Sequence, residues 1–209
     1  GINRYKELEG FENSKIVIET AKRLDQIRKQ MYVQSKSFDD LITLASRKEE
    51  MLRSIPAIMP ISNKDLTRTA SGYGLRVHPI YKIIKFHAGM DFTAPSGTDV
   101  YVTGDGTVAS VISSKRGLGN HIIINHGYGY TSVYAHLDRF NVRAGQKVRR
   151  GDVIGFVGST GLSLAPHLHY EIKLNGTNVD PVNYYFNDLT PEEYERMIEI
   201  ASKTGQSFD

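Results

Sequence analysis

Residues 100–112 read Val-Tyr-Val-Thr-Gly-Asp-Gly-Thr-Val-Ala-Ser-Val-Ile, and they place two β-branched runs on either side of an Asp105-Gly106 turn. An Asp-Gly pair between two such runs is a strong hairpin signal. Short runs of the same kind follow at 121–124, 131–136, 153–157 and 167–173. The pattern predicts an antiparallel, mainly β domain.

A long helical segment precedes this domain. Residues 14–53 contain no Gly or Pro. Positions at alternating steps of three and four are apolar except at Thr20, Gln34 and Lys48, and the apolar ones are Val17, Leu24, Ile27, Met31, Phe38, Leu41, Ala45 and Leu52. This heptad-like stripe predicts a coiled-coil-like helix. Because so narrow a stripe cannot bury itself, we expect a partner, which is an upstream helix, a second copy, the following domain or a regulatory protein.

Prolines mark the boundaries of the segments. Pro56 and Pro60 end the first helical pattern and indicate an extended linker. At the other end, residues 190–193 (Thr-Pro-Glu-Glu) predict a capped helix that ends near Gly205 and has an apolar face of Tyr194, Met197, Ile198 and Ala201. We therefore expect a helical arm at 1–56, a linker at 57–70, a β domain at 71–186 and a C-terminal helix with tail at 187–209.

The composition, with 40% hydrophobic and 23% charged residues, is that of a folded protein. A net charge of +3 is too small to predict nucleic-acid binding. The absence of cysteine excludes disulfides, cysteine-ligated zinc and a thiol nucleophile. The chain begins Gly-Ile-Asn and has no run of about 18 apolar residues, so we expect any signal peptide or membrane anchor to lie upstream of it.

Two short stretches carry the candidate chemistry. His87 and Asp91 are four residues apart, and a bend at Gly89 would bring them together. His167 and His169 are two apart, so on a strand both project to one face. Three histidines and a carboxylate are the usual ligand types of a hydrolytic zinc ion, which takes three protein ligands and leaves one position for water. One histidine is therefore left over.

The order of these motifs resembles peptidase family M23, the lysostaphin/LytM-type zinc metallopeptidases. The opening block of that family is similar to residues 71–76, His78-Pro79 and 87–91, the central block to 134–137, and the closing block to 158–161 with 166–172. Residues 178–181 (Asn-Val-Asp-Pro) are similar to the end of that domain. The resemblance implies an antiparallel two-sheet LytM/M23-type domain, flanked here by an N-terminal coiled-coil-like helical region and a short C-terminal helix.

The resemblance also implies roles for the site residues. The zinc ligands would be His87, Asp91 and His169. The unligated catalytic histidines would be His136 and His167, and either of them could be the general base. We expect the remaining histidines in a loop or at exposed strand ends, and these are His78, His121 and His126.

The implied substrate is bacterial peptidoglycan. A helical arm without a recognisable wall-binding domain resembles the envelope enzymes of Gram-negative bacteria, which favours a periplasmic D,D-endopeptidase acting on D-Ala–meso-diaminopimelate bonds over a pentaglycine endopeptidase. The alternative is a non-catalytic LytM-like regulator that activates a separate cell-wall amidase, but such proteins typically lack several of the five site positions. A lipoyl- or biotinyl-type carrier domain, echoed at 144–148 and 151–155, would leave the histidines unexplained.

A hydrolase of the cell wall needs control. We expect the N-terminal helix, or residues 61–70, to cover the groove until a partner moves it.

Overall fold

The computed structural model describes residue 5 and residues 12–62, 68–77 and 82–203. The chain divides into two compact units, Gly1–Glu49 and Glu50–Asp209. Every strand pair among the described residues is antiparallel. The predicted fold class, a mainly β domain with an N-terminal helix and a short C-terminal helix, is therefore confirmed. Neither described helix has the length and apolar character needed to cross a bilayer.

The strands of the second unit form two larger sheets and a small ribbon. In chain order they are β1 (Thr69–Ser71), β2 (Gly74–Val77), β3 (Ile84–His87), β4 (Met90–Thr93), β5 (Asp99–Tyr101), β6 (Gly106–Ile112), β7 (His121–Gly127), β8 (Tyr130–Ala135), β9 (Leu137–Phe140), β10 (Lys147–Val148), β11 (Val153–Val157), β12 (His167–Leu174) and β13 (Thr177–Val179). The eight-stranded sheet has the order β1-β4-β12-β8-β7-β6-β10, with β13 paired to β12. The three-stranded sheet has the order β5-β11-β9, and β2 pairs with β3.

Strand β12 lies inside the large sheet and separates the core from the site. Its residues Leu168, Tyr170 and Ile172 are fully buried in the hydrophobic core. The alternate residues, at positions 167, 169, 171 and 173, are His, His, Glu and Lys. Because side chains alternate along a strand, these four polar residues form one row on the opposite face of the sheet.

The first unit consists mainly of helix α1 (Ser14–Ser54), whose last turn belongs to the second unit. Its position agrees with the predicted helix. The large apolar side chains of the predicted stripe are exposed, from 46% at Val17 to 67% at Met31. The partner expected for this stripe stays a prediction.

Residues 57–61, which the sequence indicated as linker, are part of the second unit and pack within it. The N–H of Ala57 donates to the carbonyl of Thr103 at 3.0 Å, and that of Tyr101 donates to the carbonyl of Pro60 at 2.7 Å. Ala57, Met59 and Ile61 are buried. Residues 63–67 lie outside the described residues. The described part of segment 61–70 includes the core residue Ile61 and the first residues of strand β1.

The C-terminal part adds a 3-10 helix (Pro181–Asn187) and helix α2 (Pro191–Lys203). The predicted capping box is present, since Thr190 N–H donates to the Glu193 carboxylate at 2.8 Å and Glu193 N–H donates to Thr190 Oγ1 at 3.3 Å. Met197 is buried, but Ile198 is 45% exposed, so its assignment to the apolar face was wrong. Ile200 packs against the core instead. The predicted end near Gly205 lies outside the described residues.

Candidate metal centre and active site

A tight bend between strands β3 and β4 brings His87 and Asp91 together. Strand β3 ends at His87 and β4 begins at Met90, so Ala88 and Gly89 form the turn. A Cβ at Gly89 would overlap the carbonyl oxygen of Tyr170. Glycine is therefore needed here for close packing, and the bend lies directly against β12. In the sheet register Asp91 is paired with His169.

Three side-chain atoms converge at this place. Asp91 Oδ1 lies 3.0 Å from His87 Nε2 and 2.9 Å from His169 Nδ1, and the two nitrogens are 3.1 Å apart. All three residues are buried. The ligand atoms of a tetrahedral zinc ion, bonded at about 2.0–2.1 Å, lie about 3.3 Å from one another. Within the described part of the chain, this is the one cluster of three or more His, Asp or Glu side chains that could hold a metal ion.

Hydrogen bonds on the far side of each imidazole set its tautomer. His87 Nδ1 lies 2.7 Å from the carbonyl oxygen of Gly72, which can only accept, so Nδ1 carries the proton and Nε2 keeps a lone pair facing the site. His169 Nε2 donates to Glu171 Oε1 at 3.3 Å, which leaves Nδ1 unprotonated toward the site. Such outer hydrogen bonds are typical of metal-ligating histidines.

The two carboxyl groups are ionised at neutral pH. Burial acts to raise the pKa of Asp91, but the charge of His87 in its protonated form, and the hydrogen bonds that His169 and His87 donate when protonated, hold it well below its ordinary value. Burial also acts to raise the pKa of Glu171, yet the hydrogen bond and charge of His169, the hydrogen bond of Asn178 and the charge of Lys173 bring it to about 2. Two imidazole nitrogens and an ionised carboxylate fit a divalent metal such as Zn²⁺, and the same donors also suit Fe²⁺.

His136 lies at the corner between β8 and β9 with φ of 61°. Its N–H donates to the carbonyl of Leu118 at 3.0 Å, and its Nδ1 donates to the carbonyl of Thr160 at 2.7 Å. A left-handed backbone is strained for a residue other than glycine, and such strain persists where the surrounding structure imposes it, often at functional sites. Two loops thus hold this side chain in one orientation.

His167 is the first residue of β12, and its ring centroid lies 4.6 Å from that of His136. Its Nδ1 lies 2.8 Å from the carbonyl of Ala165 and 3.2 Å from Ser163 Oγ. In both histidines Nδ1 donates to a carbonyl, so the neutral ring has its basic lone pair on Nε2. The ring of His136 is also 6.1 Å from that of the ligand His169. Two imidazoles able to accept or release a proton therefore stand beside the metal ligands.

An open groove of about 290 Å³ lies beside the site. Lys85 and Phe86 line it on the side of β3, and Gly117, Leu118 and Leu162 line it from two loops. A Cβ at Gly161 would overlap the backbone of Gly119, so these glycine-rich loops pack against each other directly. Two of the three candidate ligands, His87 and His169, line this groove, and so does Glu171.

Not every histidine expectation agrees with the structure. His126 was expected at an exposed strand end, but it is buried, with Nε2 2.7 Å from Ser132 Oγ. His121 is half-buried, and His78 lies outside the described residues. Sequence reasoning also gave no role to Glu171, although its spacing of two from His169 on a predicted strand was a signal for a shared face.

Known proteins match this chain over the region that contains these site residues. The model of peptidase family M23 matches residues 85–181. The DD-carboxypeptidase/endopeptidase Mpg of Neisseria meningitidis is 47% identical over 117 residues, which are 56% of this chain and 27% of that protein. The peptidoglycan DD-endopeptidase ShyA of Vibrio cholerae is 44% identical over 108 residues, which are 52% of this chain and 24% of that protein. The chain thus spans about a quarter of the length of these relatives.

This chain covers a much larger share of one solved structure than of these relatives. The catalytic domain of lysostaphin, an antimicrobial peptidase from Staphylococcus simulans, is 34% identical with a TM-score of 0.52, and the match covers 56% of this chain and 90% of that domain. The site geometry, the family model and this near-complete coverage agree. The chain belongs to peptidase family M23.

Proposed function

We propose that this chain carries a Zn²⁺-dependent endopeptidase that hydrolyses stem-peptide cross-links of bacterial peptidoglycan at D-Ala–meso-diaminopimelate bonds. Two relatives support the reaction and substrate, since Mpg is named a DD-carboxypeptidase/endopeptidase and ShyA a peptidoglycan DD-endopeptidase. A peptidoglycan substrate implies a protein of the cell envelope, and we propose the periplasm of a Gram-negative cell as its location. A membrane anchor upstream and a regulatory partner of α1 remain parts of this proposal.

The observation that carries the proposal is the close approach of five side chains at one site. The proposed zinc ligands are His87, Asp91 and His169, whose ligand atoms are 2.9–3.1 Å apart. The proposed catalytic residues are His136 and His167, whose rings lie side by side. The open groove supports an extended peptide substrate better than an enclosed small molecule.

The chemistry of a bound zinc ion would be Lewis-acid activation of water and of the scissile carbonyl. The protein would supply the proton transfers. One of the two histidines would accept a proton at Nε2 from the attacking water, and the leaving amine would receive a proton from an imidazolium at the same place. The carbonyls of Thr160 and Ala165 keep both rings oriented, because each accepts the Nδ1 proton. A donor at Nε2 could also stabilise the oxyanion.

The non-catalytic regulator is not favoured. Such a protein would be expected to have lost part of the ligand set, whereas this chain has all five positions, and they lie together. The four predicted segments, with the β domain of 71–186 as the catalytic one, belong to the same proposal.

The test is incubation of the zinc-loaded protein with cross-linked muropeptide dimers, followed by mass spectrometry. We expect dimers to be converted to monomers with one water added per bond, and the product masses to identify that bond. His169→Ala should abolish both zinc binding and cleavage. His121→Ala is the matched control, because it removes a half-buried histidine outside the site and should cleave normally.

Stoichiometric zinc binding with intact dimers would contradict the proposed substrate. A protein that bound no zinc would contradict the enzyme and support the regulator.

A further inference from the structure

A hydrogen-bonded chain leads from the ligand His169 away from the site. His169 Nε2 donates to Oε1 of Glu171, at 3.3 Å. The other carboxylate oxygen, Oε2, accepts from Asn178 Nδ2 at 2.9 Å and from Lys173 Nζ at 3.2 Å. The side chain of Glu171 is only 8% exposed, whereas that of Lys173 is 35% exposed. Of the two donors to Oε2, Asn178 makes the shorter contact.

The same amide group also reaches the other two ligands. Asn178 Nδ2 donates its second hydrogen to the carbonyl of Ala88 at 2.8 Å. Ala88 belongs to the turn between His87 and Asp91, and the next residue, Gly89, packs directly on β12. One amide thus connects the turn that carries two ligands with the carboxylate that orients the third.

The backbone of Asn178 is itself fixed. Residue 178 pairs with Lys173 where β13 lies beside β12, and its carbonyl accepts a hydrogen bond from Tyr73 Oη at 2.9 Å. An amide on an anchored strand keeps its two donors at constant positions. It can therefore transmit the position of one partner, Ala88, to the other, Glu171.

We infer that Asn178 is a positioning residue, which holds the ligand atoms of His87, Asp91 and His169 at their mutual spacing through Ala88 and Glu171. This inference rests on the proposed metal centre. Without the amide, the Ala88 carbonyl loses this donor and Glu171 retains only His169 and the more exposed Lys173. The ligand atoms are then less well ordered before the metal arrives, so metal affinity falls.

The test uses Asn178→Ala and Glu171→Gln in the full chain. Affinity for Zn²⁺ is measured by competition with a chromogenic chelator, and ligand geometry by the visible spectrum of the Co²⁺-loaded protein. We expect Glu171→Gln to weaken Zn²⁺ binding by about 10–100-fold and Asn178→Ala by about 10-fold, with altered Co²⁺ bands in both. The double variant should lose less affinity than the two single losses multiplied together, because part of the effect of Asn178→Ala passes through Glu171.

Asn141→Ala is the matched control. Asn141 Nδ2 donates to the carbonyl of Val153 at 2.8 Å on a hairpin away from the site, so this variant also loses an amide-to-carbonyl hydrogen bond. We expect it to keep the Zn²⁺ affinity and the Co²⁺ spectrum of the parent protein. Urea unfolding of the metal-free variants separates a general loss of stability from a loss of affinity.

The outcomes separate this inference from the proposed function. If the parent protein binds Zn²⁺ tightly and Asn178→Ala binds it within twofold with unchanged Co²⁺ bands, the positioning role is refuted while the metal centre stands. An equal loss of affinity in Asn141→Ala would refute it too. If the parent protein does not bind Zn²⁺, the metal centre itself is refuted.

Discussion

Substitution of His136 can separate the strain of its backbone from the loss of its side chain. At φ of 61°, a residue with a Cβ is destabilised by about 1–2 kcal/mol. Glycine avoids this strain but loses about 0.5–1 kcal/mol more conformational entropy on folding than alanine. His136→Gly and His136→Ala both lose the hydrogen bond to Thr160, so that loss cancels between them. We expect the glycine variant to be more stable by about 1 kcal/mol.

The assay is urea unfolding of the metal-free variants, followed by near-UV circular dichroism. The chain has 12 tyrosines and no tryptophan, and Tyr134, Tyr170 and Tyr185 are fully buried in the β unit, so their signal reports on that unit. A difference of 1 kcal/mol corresponds to about 2–4 °C in Tm for a domain of this size.

His121 provides a control of opposite sign. It lies in strand β7 and is not among the residues with positive φ. Alanine at that position should be more stable than glycine by about 0.5–1 kcal/mol. If His136→Ala were as stable as His136→Gly, the fold would not impose the left-handed backbone, and the strain at this residue would be refuted.

Three further predictions concern the metal and two interactions outside the site. Zn²⁺ at 100 times its Kd should raise the free energy of unfolding by about 2.7 kcal/mol, an effect that a chelator reverses and His169→Ala lacks; equal stability with and without zinc would contradict it. Burial lowers the pKa of His126 below 6.5, so its contribution to stability is complete above pH 6.5 and is lost as pH falls toward the folded pKa, by at most about 1.4 kcal/mol per pH unit. His126→Gln should lack this slope between pH 7 and 5, and identical slopes in urea unfolding would refute the assignment. Arg150 Nη2 lies 2.7–3.0 Å from three carbonyls at the end of α1, so Arg150→Ala should cost about 1–2 kcal/mol in urea unfolding, against about 0.5 kcal/mol or less for the exposed neighbour in Arg149→Ala.

Local patterns in the sequence predicted much of the fold. The Asp105-Gly106 signal predicted a turn, and the chain does turn between β5 and β6. The two strands belong to different sheets, however, so they do not form the hairpin that such a pair favours. The capping box at Thr190 and Glu193 forms as expected, because its two hydrogen bonds involve residues three apart. The helix over 14–53 could also be predicted, since the stretch has no Gly or Pro and has a regular apolar stripe. A helix makes its backbone hydrogen bonds within itself, so its formation does not depend on pairing with a distant segment.

Other features depend on which side of an element the rest of the protein covers. The pattern could not show that Ile198 is exposed while Ile200 packs on the core, because both suit a helix. Nor could it show that His126 is buried, since the hydrogen bonds that allow its burial come from Ser132 and from the carbonyl of Asp105.

By itself, the sequence determined which residue types are available for a metal site and, through the period of two along β12, that His167 and His169 share a face. Tertiary structure alone decided that His87 and Asp91 meet His169, since these contacts join residues on strands far apart in the chain. It also decided the outer contacts from Asn178 to Ala88 and Glu171, which are 90 and 7 residues away. The physical reason is that a strand's own pattern sets the direction of its side chains, whereas only the pairing of strands sets what those side chains meet.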